Sequence, residues 1–147
     1  MMGVCRDVGK LEPETRARVT VALATLEKSG VRYFISETLR SPEIQAAYYA
    51  QGREALEVVN QKRRAAGLWA IGDPENRKPI TWTLQSRHIL GEAIDIVPAK
   101  RNGDPDWGAP RAAYEKIASA FKAQGLEWGG DWEPAKQDLP HYQLRHA

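Results

Sequence analysis

Three histidines occur in the 147 residues, and two of them stand close to carboxylates in segments that read as strand edges. His88 lies in the run Ser86-Arg87-His88-Ile89-Leu90-Gly91-Glu92-Ala93-Ile94-Asp95. If the residues after Gly91 form a strand, side chains alternate, so Ala93 and Asp95 share one face while Ile94 and Ile96 share the other. Asp95 is then a carboxylate on an isoleucine-rich strand, which is costly in ionised form unless it pairs with a cation or coordinates a metal. His141 follows Asp138-Leu139-Pro140 at the start of a second apolar stretch. Two imidazoles and a carboxylate suit a divalent metal, most naturally zinc, and three protein ligands leave a fourth position open. A water held there falls to a pKa of about 7 and becomes a nucleophile. That chemistry requires a base. Asp138, three residues before His141 and stiffened by Pro140, is the candidate, although Asp-x-Pro alone reads as a turn.

Other residues can support such a centre. Arg40 falls between a strand and a helix, where its guanidinium presents a fixed fork to an oxyanion or carboxylate; the plainer reading is a carboxylate-paired surface arginine. Ser86 either hydrogen-bonds a ligand or serves the turn. Trp128 and Trp132 bracket Gly129-Gly130-Asp131 and either line a groove or belong to the core. Asp131 either orients a ligand histidine or caps a turn. Glu92 faces away from Asp95 by strand alternation and reads as exposed, and His146 reads as a solvated tail residue. Cys5, the single cysteine, has no partner for a disulfide or a metal knuckle.

The elements that must position these groups follow from periodicity and punctuation. Residues 12–29 read as a helix with an acidic, proline-tolerant start, Val19, Leu23 and Leu26 on its inner side, and Gly30 as its stop. Val31–Thr38 reads as a buried strand. Ser41 and Pro42 form an N-cap and first turn, from which a second helix is expected to run to Ala66-Gly67. Lys62-Arg63-Arg64 would be its solvated end. GLWAIGDPENRKP reads as a loop, a candidate flap beside the site. Strands are expected at Ile80–Leu84 and Glu92–Val97, a third helix at Pro110–Gln124, and a turn-rich tail that ends in a closing strand. No regular βαβ repeat emerges. The expectation is a single compact α+β domain with about three helices.

Composition sets outer limits. Apolar residues make up 42% and charged residues 27%, the balance of a globular domain able to bury its own core. Lys and Arg exceed Asp and Glu by 21 to 19 and are dispersed, which gives no signature of nucleic-acid binding. No apolar stretch approaches the roughly 20 residues of a membrane span, and the N-terminus lacks the apolar segment of a secretory signal. The expectation is a chain made in the cytoplasm, without membrane insertion.

The sequence resembles the zinc peptidases of peptidoglycan that include D-Ala-D-Ala carboxypeptidases and the L-alanyl-D-glutamate endopeptidases of phage endolysins. Ser-x-His-x-x-Gly-x-Ala-x-Asp is met by Ser86, His88, Gly91, Ala93 and Asp95. Trp-Gly-Gly-Asp-Trp followed by Asp-x-Pro-His is met by Trp128 to Trp132 and by Asp138, Pro140 and His141. An upstream arginine, serine and glutamine are met by Arg40, Ser41 and Gln45. The resemblance implies a Hedgehog/DD-peptidase-like fold whose small antiparallel sheet carries Zn2+ on His88, Asp95 and His141. It also implies Asp138 as catalytic base and Arg40 as the group that holds the substrate carbonyl or carboxylate. Gln45, Ser86, Trp128, Asp131 and Trp132 would contact the substrate or support a ligand.

Two departures stand out: GLWAIGDPENRKP is inserted before Ser86, and no cell-wall-binding repeat follows His141, so residues 1–147 are expected to be one catalytic domain. A compact chain of this kind resembles the lysis enzymes of phages infecting Gram-negative hosts. These act on the peptide stem in the periplasm as a monomer, after a separate holin opens the membrane. The alternatives are a D-Ala-D-Ala carboxypeptidase of the same family and a non-catalytic module that keeps the zinc-site fold.

Overall fold

The computed structural model describes residues 3–81 and 83–146. Glu12 starts the first helix, α1 (Pro13–Lys28), by accepting the Thr15 N–H at 2.7 Å, while Pro13 occupies a first-turn position where its missing N–H removes no bond. Strand β1 (Tyr33–Glu37) follows. Ser41 then caps α2 (Pro42–Ala50), its hydroxyl oxygen accepting the Ile44 N–H at 3.1 Å.

The expected long second helix is two helices. Gln51 is extended and Gly52 takes a left-handed φ of 83°, with Pro79 packed so closely that a Cβ at Gly52 would lie 2.8 Å from its ring. The chain turns there and resumes as α3 (Leu56–Ala65), within which Arg63 is buried and donates from Nε to the Trp69 carbonyl at 2.8 Å, rather than lying on a solvated end. The expected flap is pinned. Asn60 clamps Ile71 through both backbone groups, and Gln51 Nε2 donates to the carbonyls of Glu75 and Lys78 around a short helix, α4 (Asp73–Asn76).

The strand expected at Ile80–Leu84 is not formed by its described residues; Trp82 lies outside them. Gln45 accounts for part of this, because its Nε2 donates to the Thr83 carbonyl at 2.7 Å and to Thr81 Oγ1 at 3.2 Å, where a ladder would need backbone partners. A 3-10 turn over Arg87–Leu90 leads into β2 (Ala93–Pro98). Helix α5 (Arg111–Ala123) precedes β3 (Leu126–Trp128), a strand inside what the sequence suggested was loop, and β4 (His141–Leu144) closes the chain. Among the described residues there are thus five α-helices, two more than expected.

The four strands form one antiparallel sheet in the order β1-β2-β4-β3. Its two faces differ. Ile94, Ile96, Tyr142, Leu126 and Leu144 pack with α1 and α5, and Phe121 stacks on Tyr142 with ring centroids 4.4 Å apart. Each such fully buried side chain contributes about 1.5–3 kcal/mol. On the opposite face the register aligns Glu37 with Asp95 and Asp95 with His141, a row of ionisable groups across three strands.

Candidate metal centre

His88 enters from the 3-10 turn before β2. Ser86 caps that turn by accepting the His88 N–H at 3.2 Å, and Gly91 ends it with a φ of 71°. Two bonds lock the histidine to the segment after β1: the Arg40 N–H donates to the His88 carbonyl at 3.0 Å, and His88 Nδ1 donates to the Thr38 carbonyl at 2.8 Å. Thr38 is itself buried and held by the Cys5 carbonyl, which accepts its N–H at 2.7 Å. A carbonyl can only accept, so Nδ1 carries a proton, and Nε2 is the nitrogen turned toward Asp95 Oδ1, 3.1 Å away.

His141 arrives from β4, directly opposite Asp95 in the ladder. Its Nε2 is held 2.8 Å from Gln143 Oε1, which leaves Nδ1 facing the same Asp95 Oδ1 at 3.1 Å. The donor atoms of His88, Asp95 and His141 all lie within 4.8 Å of one another. Neutral imidazoles offer their lone pairs here, together with the Asp95 oxygen, to a cation, whereas a protonated imidazole hydrogen-bonds Asp95 instead. Burial opposes ionisation of Asp95, yet His88 and His141 outweigh it and hold this carboxyl far below the usual range. Burial likewise opposes protonation of His141, and the bond to Asp95 outweighs it and raises the imidazole. Two imidazoles and one carboxylate with fixed outer hydrogen bonds fit zinc by donor type and by orientation.

The three groups open onto a cleft of about 770 Å³ that Arg40, Asp138, Ser86, Trp132 and Tyr48 also line. Asp138 is exposed to it, and among the described residues its carboxylate makes no hydrogen bond or ion pair. Crowding by the cleft wall and then the Asp95 charge raise its pKa, against the pull of His141, His88 and Arg40. Arg40 combines its two sequence readings: it is buried and carboxylate-paired, yet faces the cleft. Its NH2 lies 2.5 Å from Glu37 Oε1, its NH1 donates to Gln45 Oε1 at 2.7 Å, and its Nε has no partner among the described residues. Gln45 is therefore a brace between Arg40 and the residues Thr81 and Thr83.

Trp132 lies beside His141, ring centroids 5.3 Å apart, and donates from Nε1 to Glu127 at 2.6 Å. Trp128 instead belongs to the core, its Nε1 bonded to the Leu139 carbonyl at 2.7 Å, because β3 turns its side chain to the helix-covered face. Asp131 pairs with Lys122 at 2.8 Å on the outer surface and orients no ligand. Glu92 is half-buried rather than exposed, since Arg87 and His146 each approach its Oε1 to 3.0 Å. Sequence reasoning missed Glu37, Thr38, Gln143 and the cleft-lining Tyr48 and Trp107. For Glu37, the available signal was an acid at the end of a strand that pairs with the strand carrying Asp95.

Comparison with known proteins finds similarity over the stretch that holds this site. The family described as D-alanyl-D-alanine carboxypeptidase matches residues 80–144, the stretch that holds His88, Asp95, Asp138 and His141. The L-alanyl-D-glutamate peptidase of Listeria phage A118 is 31% identical over 141 residues, covering 95% of this chain and 40% of the phage protein. The chain is similar to the family over residues 80–144. A second relative in sequence, the peptidoglycan L-alanyl-D-glutamate endopeptidase CwlK of Bacillus subtilis (strain 168), is 26% identical, covering 91% of this chain and 73% of CwlK. In structure, the L-Ala D-Glu endopeptidase ChiX of Serratia marcescens matches 99% of this chain and 90% of its own, with a TM-score of 0.61 at 26% identity. This chain thus spans less than half the length of the phage relative and nearly all of the ChiX fold.

Proposed function

We propose that the chain is a zinc-dependent peptidoglycan endopeptidase that hydrolyses the L-alanyl-D-glutamate bond of the peptide stem. The observation that carries this reading is the convergence of His88 Nε2, Asp95 Oδ1 and His141 Nδ1 in a cleft that also presents Asp138 and Arg40. When bound there, zinc lowers the pKa of water to about 7 and polarises a carbonyl. Asp138 accepts the proton of the attacking water on its carboxylate and returns it to the leaving amine. The Arg40 guanidinium lines the cleft, and its charge offsets the negative charge that develops on the scissile oxygen. Glu37 and Gln45 keep that guanidinium in place.

All of these groups come from one chain, which supports action as a monomer and as a single catalytic domain. No described helix is long and apolar enough to cross a membrane, and the proposed route to the periplasmic wall is a separate holin. The choice of bond rests on the names of the phage relative, CwlK and ChiX. The description of the matching family favours a second reading, removal of the terminal D-alanine. Mass spectrometry of purified muropeptides after digestion separates the two. Products cut between L-alanine and D-glutamate are expected; release of free D-alanine with that bond intact establishes the carboxypeptidase, and no product establishes a binding module.

A further inference from the structure

Glu37 and Arg40 are 6% and 9% exposed, and they are three residues apart on either side of the turn that leaves β1. The pairing register shifts between Ile35 and Glu37 at the end of β1, and it sets Glu37 opposite Asp95. Two carboxylates on directly opposed residues repel each other. The Arg40 NH2 lies close to both, 2.5 Å from Glu37 Oε1 and 3.9 Å from Asp95 Oδ2. One guanidinium nitrogen thus faces two competing acceptors, of which Asp95 belongs to the metal centre.

We propose that Glu37 is a positioning residue that holds the Arg40 fork in place and keeps it off Asp95, so that Asp95 stays available to the metal. This rests on the reading of His88, Asp95 and His141 as zinc ligands. Among the described residues the Glu37 side chain has one hydrogen-bond partner, Arg40, and its Oε2 is buried with none. A carboxylate that merely tied the fold together would engage other elements as well. Gln45 holds NH1 and the Tyr48 ring lies 4.8 Å from the guanidinium carbon, so the remaining freedom of the fork is a swing of NH2 from Glu37 toward Asp95. If the Glu37 charge is removed, Asp95 becomes the only anionic partner of that nitrogen, and a buried cation without a counter-charge is strongly driven to find one. The swing brings guanidinium hydrogens onto Asp95 Oδ2, which draws charge from the carboxylate that faces the metal through Oδ1 and turns the fork from its place on the cleft wall.

The test is zinc affinity, measured by competition with a chromophoric chelator on wild type, Glu37→Gln, Arg40→Met and the double variant, together with kcat/KM on muropeptides. Glu37→Gln is expected to bind zinc about 10-fold more weakly, within the range seen when groups behind a metal ligand are lost, and to lose about 10²-fold in kcat/KM. Adding Arg40→Met to Glu37→Gln is expected to return zinc affinity to about that of Arg40→Met alone without restoring turnover, because the competing nitrogen is gone. A purely structural role predicts no such recovery. Zinc affinity of Glu37→Gln within about twofold of wild type, or a double variant that binds no better than Glu37→Gln, overturns the proposal. If circular dichroism shows that Glu37→Gln does not fold, Glu37→Asp decides. It keeps the charge one methylene farther back, so wild-type zinc affinity with reduced turnover is expected, and about 10-fold weaker zinc binding overturns the proposal. Wild type that binds no zinc overturns the metal reading itself, whereas tight wild-type binding that is indifferent to Glu37 overturns this inference alone.

Discussion

His88 and His141 reach the same Asp95 oxygen through different ring nitrogens, Nε2 in one and Nδ1 in the other. The difference follows from their origins, a turn outside the sheet for His88 and a central strand for His141, and from the acceptors that hold the opposite nitrogens. Asp138 lines the cleft and is not among the converging donor atoms, so the proposed role as base is separable from metal binding. Asp138→Asn is expected to keep the fold and the zinc while losing about 10²–10⁴-fold in kcat, since an amide cannot accept the proton of water. Steady-state rates alongside metal content test this, and near wild-type turnover excludes Asp138 as the base. His88, Asp95 and His141 stood out as candidates because histidine is scarce here and an acid is conspicuous on an isoleucine-rich strand, and Asp138 because it lies close before His141. Glu37 and Gln143 were not, because their importance depends on strand register, which no short window of sequence contains.

Among the elements, the 3-10 turn over Arg87–Leu90 carries His88 and depends on Gly91, which has a φ of 71° and packs so that a Cβ would lie 2.9 Å from the Glu12 nitrogen. Gly91→Ala therefore meets both a left-handed backbone and a backbone contact, and is expected to lower stability by about 1–3 kcal/mol in urea denaturation. A change below a few tenths of a kcal/mol means that the start of α1 yields easily. Caps and stops made α1, α5 and the start of α2 readable, because Ser41, Pro42 and Gly30 act through their immediate neighbours. The break after α2 was hidden, since Gly52 turns the chain against Pro79, 27 residues downstream, and side-chain amides from Asn60 and Gln51 order the segment that follows. Leu126–Trp128 was missed for a related reason: three residues carry too little alternation to reveal a strand before its partner β4 is known.

At the scale of the molecule, one sheet separates two tasks. The face covered by α1 and α5 supplies the apolar core, and the other face brings the β1 end, the middle of β2 and the start of β4 together under the cleft. A metal held by Asp95, His141 and His88 would link β2, β4 and the His88 turn, and its binding free energy would add to folding. Zinc at about 100 times its dissociation constant is expected to stabilise the protein by about 2.7 kcal/mol, seen as a higher melting temperature. An unchanged melting temperature argues that the sheet is indifferent to the site. The mixed α/β class was open to sequence analysis through the irregular alternation of periods, while the division between faces emerged only with the order β1-β2-β4-β3. The central claim is that His88, Asp95 and His141 form a zinc site, and zinc content after loading and desalting tests it most directly. Wild type is predicted to retain about one zinc per chain and His88→Ala essentially none; wild type without zinc, or a His88→Ala variant that retains as much as wild type, contradicts the account.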